Sequence, residues 1–511
     1  MIMRKIFGLL AVVAMVATAT AANAVHVGTI VVKEGVADTV YNAKHVVVGM
    51  AQPGEVFAVN GQQVKAFKTG TWGVELQLQE GNNEIKIEQA GTGSGTFNVF
   101  YSTSPKTVSC QEKAAEKARM EAEAQEVKFY PASVKVKTKK NAYLNYGAGK
   151  DRLGGAKINY LPEGVEMYAD AENSSLYRVR LSQNRFAYVP KTHVDVVGKM
   201  EQCYDFMQDN VVLSKNSTIS NVGGYDRISI PLDGKKPYIV KEYPDPHKIV
   251  LDIYGVQCNS NWLIHNDGLE SIDNVDVESI DSDITRFTVY LKTKTSWGFS
   301  LDYTGNTLNL NIKHVPQNLS LKGLVIGIDA GHGGPQSLGA VGLSGLREKD
   351  MNLDMAFQLK AILEKQGAKV VLSRDTDIAL TMLERKNFFL ANKADIVLSI
   401  HCNAGAGPLD PMGASTYYRY NVYKSLAKHL LDNMTSIEGV GHSGLVGNFN
   451  FTLSSYTEFP CILVETVYIS TLAEEEMLAD ADFRKAMMEN VAKGLNDYIK
   501  ECRIAEGQAK K

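Results

Sequence analysis

Up to about residue 316 the chain alternates short apolar runs with turn residues, and helical periodicity appears only beyond that point. Runs at 46–50, 56–59, 73–78 and 84–88 are separated by Pro53-Gly54, Asn60-Gly61 and Gly81-Asn82, the pattern of strands joined by tight turns. Asn-Gly suits a two-residue hairpin, so a hairpin is expected at Asn60-Gly61. Residues 25–105 therefore read as one all-β unit. From Glu112 to Val127 the chain is Ala, Glu and Lys with few bulky apolar residues. That composition predicts a solvated helical linker over 106–127, and the missing apolar heptad argues against a coiled coil. Strands return over 128–198. A further β segment at 203–316 carries alternating runs at 228–231, 248–253, 286–292 and 307–312.

After a polar link at 316–322 the period changes. Residues 324–328 read as a buried strand. A helix follows from near Asp350, with Met355, Leu359, Ile362 and Leu363 on one face and Gly367 as its left-handed cap. Further strands are expected at 369–373, 395–400, 413–418 and 462–465, and helices at 380–392 and 483–499. Strands alternating with helices predict an α/β domain over 322–500, a sheet flanked by helices. Residues 501–511 are left as a tail. The expected fold class is multidomain, a C-terminal α/β domain preceded by all-β domains.

The length of 511 residues agrees with several domains of ~100–200 residues each. The net charge of -3, with Lys and Glu mixed throughout, gives no reason to expect a nucleic-acid partner. Arg4 and Lys5 precede an apolar run from 6 to about 17, and Ala22-Asn23-Ala24 fits a small-residue cleavage site. Residues 1–24 thus read as a signal peptide, shorter than the ~20 apolar residues that span a bilayer. With no Cys near the cut and no other long apolar segment, an exported protein without a stable membrane anchor is expected, in the periplasm. Export permits disulfides, but six cysteines over so long a chain make no disulfide framework; Cys203–Cys258 is the favoured pair.

Candidate chemistry gathers in the α/β region. Asp329 and Ala330 follow the first strand and lead into Gly331-His332-Gly333-Gly334, where flanking glycines let the backbone turn sharply beside an open imidazole. Glu348 lies just before the first helix, His401 follows the third strand, and Glu465 ends the 462–465 strand. Strand ends and βα loops are where an α/β sheet places its ligands. Two imidazoles and a carboxylate suit Zn²⁺, and a second carboxylate can serve as general base. Asn403 and His442 are weaker candidates for substrate contact. Cys402 and Cys461 read as structural, because neither has a neighbouring base. Glu474-Glu475-Glu476 reads as a solvated helix start, and Arg374 and Arg385 as loop braces.

Several blocks also carry family resemblances. The turn-rich 25–105 segment resembles small immunoglobulin-like sandwiches. NAYLNYGAG, LPEGVEMYADAENSSLYRVRL and AYVPKTHV resemble an SH3-like domain, with Tyr143, Tyr146, Tyr177 and Tyr188 expected in a small barrel core. Residues 203–316 resemble the β-sandwich targeting modules of cell-wall amidases. GIDAGHGG, EKDMNL, VVLSRDTD, ERKNFFLANKADIVLSIHCNA and PCILVETVYIS, in that order, resemble the zinc-dependent N-acetylmuramoyl-L-alanine amidases of the amidase-3 type. That resemblance implies one Zn²⁺ per chain on His332, Glu348 and His401, with Glu465 as the catalytic glutamate. It implies hydrolysis of the bond between N-acetylmuramic acid and L-alanine of peptidoglycan, by zinc-activated water. Leu453-Ser454-Ser455 and Thr471-Leu472 depart from the family's pattern, which bears on substrate grip and removes no ligand. The alternatives are a zinc peptidase cutting within the stem peptide and a non-catalytic wall-binding protein. A role in cell division would follow from the family; an activator or divisome partner is not legible. The CNAGAGPLDPM piece between His401 and Gly413 is too short for a plugging helix and carries Pro408 and Pro411, which predicts an open site.

Overall fold

A computed structural model describes residues 25–37, 39–103, 126–151, 154–199 and 206–508. The signal peptide, residues 106–125 of the linker, Cys110 and Cys203 lie outside the described residues. Among the described residues, Cys258, Cys402, Cys461 and Cys502 form no disulfide.

Residues 25–103 form a four-stranded and a five-stranded sheet around Trp72, Val47, Ile85 and Val99. The hairpin at Asn60-Gly61 is present, pairing Val56–Val59 with Gln62–Lys65, and both turn residues hold positive φ (50° and 79°). Residues 128–199 form one seven-stranded sheet. Its buried Leu144, Met167 and Val189 share a single core with Ile228, Leu251, Phe287 and Leu310 of the following β segment. The tyrosines expected in that core are not there. Tyr146 is 57% exposed, and Tyr143, Tyr177 and Tyr188 are half-buried, Tyr177 packing against the core from outside, because the buried positions of this sheet are taken by residues such as Leu144, Met167, Val179 and Val189.

The C-terminal region holds a six-stranded sheet. Its strands are β1 (Val325–Ala330), β2 (Lys369–Leu372), β3 (Ile396–Asn403), β4 (Ala414–Tyr417), β5 (His442–Val446) and β6 (Cys461–Tyr468). They lie in the order β2-β1-β3-β6-β4-β5. β1, β2, β3 and β6 are parallel, and β4 runs against β6. The helices are α1 (Glu348–Lys365), α2 (Met382–Ala391), α3 (Lys424–Met434), α4 (Leu472–Ala479) and α5 (Ala481–Ala505).

Strand alternation decides which residues meet which layer. Ile396, Leu398 and Ile400 of β3 join the core built with Met355 and Leu359 of α1, Leu430 of α3 and Leu495 of α5. Val397, on the other face, packs with Phe389 of α2, Tyr456 and Phe459. Gly327 and Asp329 of β1 share that second face. Phe389 lies so close over Gly327 that an added Cβ would come within 2.7 Å of its ring.

Three readings need correction. Glu348 is the first residue of α1, not a residue ahead of it. Residues 501–505 are no tail; α5 continues through them because Cys502 is buried in the same core. Glu474 and Glu475 are buried rather than solvated. Glu474 accepts from the Gly413 and Tyr468 amides at 2.6 and 3.1 Å, and Glu475 from the Ser344 amide at 2.9 Å. The carboxylates thus pin loops that are distant in sequence, and burial pushes the Glu475 carboxyl up. α3 is missing from the expected elements, although Leu426, Ala427, Leu430, Leu431 and Met434 recur with helical period on its buried face; α4 and β5 are short and carry little regular periodicity.

Candidate metal centre

The centre is assembled at the C-terminal ends of parallel strands. His332 sits just beyond β1 with φ of +60°, a left-handed backbone that non-glycine residues rarely hold. Gly331 before it approaches His401 so closely that a Cβ there would lie 2.4 Å from the imidazole. Any side chain at 331 would displace that ring.

Glu348 faces both imidazoles. Its Oε1 lies 3.2 Å from His332 Nε2 and 3.0 Å from His401 Nδ1, and its Oε2 accepts from the Ala340 amide at 2.7 Å. Burial alone would raise the Glu348 carboxyl; hydrogen bonds from His332 and His401, with their charges, instead hold it well below the usual carboxylate range. One ligand atom from each of His332, Glu348 and His401 lies within 4.8 Å of the others. The second nitrogen of His332 lies 3.2 Å from Ser337 Oγ, the outer partner that orients a metal-binding imidazole. Two nitrogens and one carboxylate oxygen, converging beside a glycine that leaves them room, fit a divalent transition metal.

Glu465 pairs in register with His401 across β3 and β6, and with Ser415 across β4. Equal register in a parallel pair puts the two side chains on one face of the sheet. Asn403 lies one strand period beyond His401, its Nδ2 3.2 Å from the Tyr417 hydroxyl and its Oδ1 accepting from the Ala404 amide at 2.8 Å. His442 is not gathered into this group. It begins β5 at the sheet's edge, exposed. Cys402 faces away into the core, where burial pushes its thiol well above the usual range, the Glu348 and Glu465 charges adding to the effect.

Beneath the His332 turn lies a layer of buried cations. Arg385 ion-pairs with buried Asp329 and donates to the Ala330 and His332 carbonyls at 2.9 and 2.8 Å. Arg374 donates to the carbonyls of Ala330, Gly331 and Lys349 at 2.9, 3.0 and 2.8 Å, and Lys349 donates to Gly334 O at 3.0 Å. Four carbonyls of the turn are thereby tied down, which holds the strained His332 backbone in place. The sequence signal for Asp329 was an acid ending an apolar strand. Arg385 and Phe389, four apart on α2, sit over Asp329 and Gly327, two apart on β1.

Residues 326–497 match the sequence profile of the family described as N-acetylmuramoyl-L-alanine amidase. The N-acetylmuramoyl-L-alanine amidase LytC of Bacillus subtilis is 33% identical over 204 residues, covering 38% of this chain and 40% of that protein. The B. subtilis protein YqiI, itself described as uncharacterized, is 31% identical over 182 residues, covering 35% of this chain and 86% of its own length. Among solved structures, the amidase AmiC2 of Nostoc punctiforme is 32% identical, with a TM-score of 0.33 over 34% of this chain and 97% of that one. Through residues 326–497, this chain belongs to the N-acetylmuramoyl-L-alanine amidase family.

Proposed function

We propose that this protein is an exported, zinc-dependent hydrolase of peptidoglycan that opens the amide between N-acetylmuramic acid and the L-alanine of the stem peptide. The reading is carried by the convergence of His332, Glu348 and His401 to within 4.8 Å, inside the region that matches the amidase family. Residues 322–500 are the catalytic unit in this reading. The units at 25–105, 128–198 and 203–316 hold it at the wall, and the periplasm is its compartment.

His332, Glu348 and His401 would hold one Zn²⁺. Bound there, the ion supplies Lewis acidity, polarising the scissile carbonyl and acidifying a water molecule. The chain's own residues supply the rest. Glu465, on the same sheet face as His401, takes the proton of the attacking water and delivers it to the departing alanine nitrogen. Asn403 and Tyr417, already hydrogen-bonded to each other, are placed to meet the polar groups of the substrate. His442 takes no part.

Two measurements test this. Purified protein should carry about one Zn²⁺ per chain, and His332→Ala or His401→Ala should strip it; full occupancy in both variants would remove the assignment. Digestion of purified peptidoglycan, followed by mass spectrometry, should release peptides with free N-terminal alanine. Cuts only within the stem peptide would make the protein a zinc peptidase instead.

A further inference from the structure

The two loops that border the centre are each anchored on a β unit outside the amidase region. Residues 404–412 directly follow His401–Asn403. Here Leu409, with Leu472 at the start of α4, lies on the bare backbone of Gly73. A Cβ added at Gly73 would come within 2.9 Å of Leu409 and 2.8 Å of Leu472. The Leu472 amide donates to Pro408 O at 2.9 Å, and the Lys68 amide to Glu476 Oε1 at 2.5 Å, so loop, α4 and N-terminal unit form one contact. No helix occupies 404–412.

Residues 447–451 carry Phe451, whose ring centroid lies 6.1 Å from that of His401. This loop is held by the 128–199 sheet. Asn450 Nδ2 donates to Gly155 O at 2.7 Å. Arg419 donates to Lys157 O and also holds Asn448 Oδ1 at 2.8 Å. Just beyond, Tyr456 stacks on Tyr160 with ring centroids 4.6 Å apart and donates to Asn141 Oδ1 at 3.0 Å.

Both anchors are edge strands of their sheets, Thr71–Gln77 and Gly154–Leu161. An edge strand leaves backbone groups unpaired and invites an unwanted partner. Here the open carbonyls of residues 155 and 157 are met by Asn450 and Arg419, so the site's own loop covers that edge.

We infer that the two β units are working parts of the catalytic groove: the N-terminal unit sets loop 404–412 through Gly73, and the 128–199 sheet sets loop 447–451 through Gly155, Lys157 and Tyr160. The inference rests on the amidase reading for its substrate, a muramoyl-peptide. Positioning at this level decides rates, since a displacement near 1 Å at a reacting centre can cost ~100-fold. Substrate grip thus depends on residues that the family match does not reach.

The test uses the full chain with Tyr160→Ala, Asn450→Ala and Gly73→Phe, none of which alters a metal-ligating residue. Zinc content should stay at the wild-type value, and amide hydrogen exchange should quicken in the loop whose anchor is cut. KM for a soluble disaccharide-tripeptide should rise by about 3–10-fold, the scale of one lost neutral contact. Tyr160→Phe keeps the stack and should restore both readouts. Unchanged exchange, or faster exchange with unchanged KM and kcat, would overturn the inference. Should the wild-type chain leave the muropeptide intact, the amidase reading fails by itself. Loop exchange and calorimetric binding of the same muropeptide then decide the role of the anchors.

Discussion

Glu465→Gln is expected to lower turnover on muropeptide by about 10²–10⁴-fold, the usual contribution of a positioned proton acceptor, while zinc content stays at the wild-type value. Glutamine keeps the length and volume of the side chain on β6 and its place level with His401, but it cannot take up a proton near neutral pH. The donor atoms of His332, Glu348 and His401 are untouched. A fall in kcat with unchanged metal therefore separates proton transfer from ion binding. The complementary variant, His401→Ala, should lose both together. Near-normal turnover in Glu465→Gln would assign the proton to another group and leave the carboxylate a structural role on the sheet face.

The parts of the molecule that could be read beforehand are those in which one short stretch carries its own signal. Asn60-Gly61 announces a hairpin because its backbone needs positive φ at both positions, and both hold it. The strand of β1 and the glycines around His332 announce a turn at a sheet end for the same local reason. What could not be read depends on partners far along the chain. Glu474 and Glu475 look like a solvated helix start until the amides of Gly413 and Ser344 are brought to them. Tyr146 looks like core in a short aromatic-rich strand, yet Leu144, two residues before it, is buried and Tyr146 is exposed, because the strand's pairing becomes irregular beyond Asn145. The anchoring of the two site loops has no sequence signature: a glycine in a strand, such as Gly73, reads equally as a bulge or a close approach, and the Gly155 carbonyl that meets Asn450 is a group every residue carries.

The largest effect on stability should come from Asp329→Ala. Asp329 is fully buried and Arg385 nearly so, at 0% and 2% exposure. The carboxylate takes the Arg385 guanidinium and accepts from the hydroxyls of Ser373 and Ser399 at 2.7 and 2.6 Å. Burial would raise the Asp329 carboxyl, and the Arg385 charge with these hydrogen bonds holds it below its usual value instead. Removing it strands a guanidinium inside the sheet layer, with only carbonyls as partners. Breaking a buried pair from one side costs about 3–5 kcal/mol, which for a region of this size lowers Tm by roughly 10 °C. The loss should be measured calorimetrically on the metal-free full chain, so that weaker zinc binding does not contribute. Because Arg385 also holds the His332 carbonyl, zinc affinity should fall alongside. A melting point within about 2 °C of wild type would show that the stranded charge is accommodated. Asp329→Leu combined with Arg385→Leu removes both charges, and it should recover part of the stability that either change alone destroys. A double variant as unstable as Asp329→Ala would place the cost in packing and in the unmet serine hydroxyls, not in the buried charge.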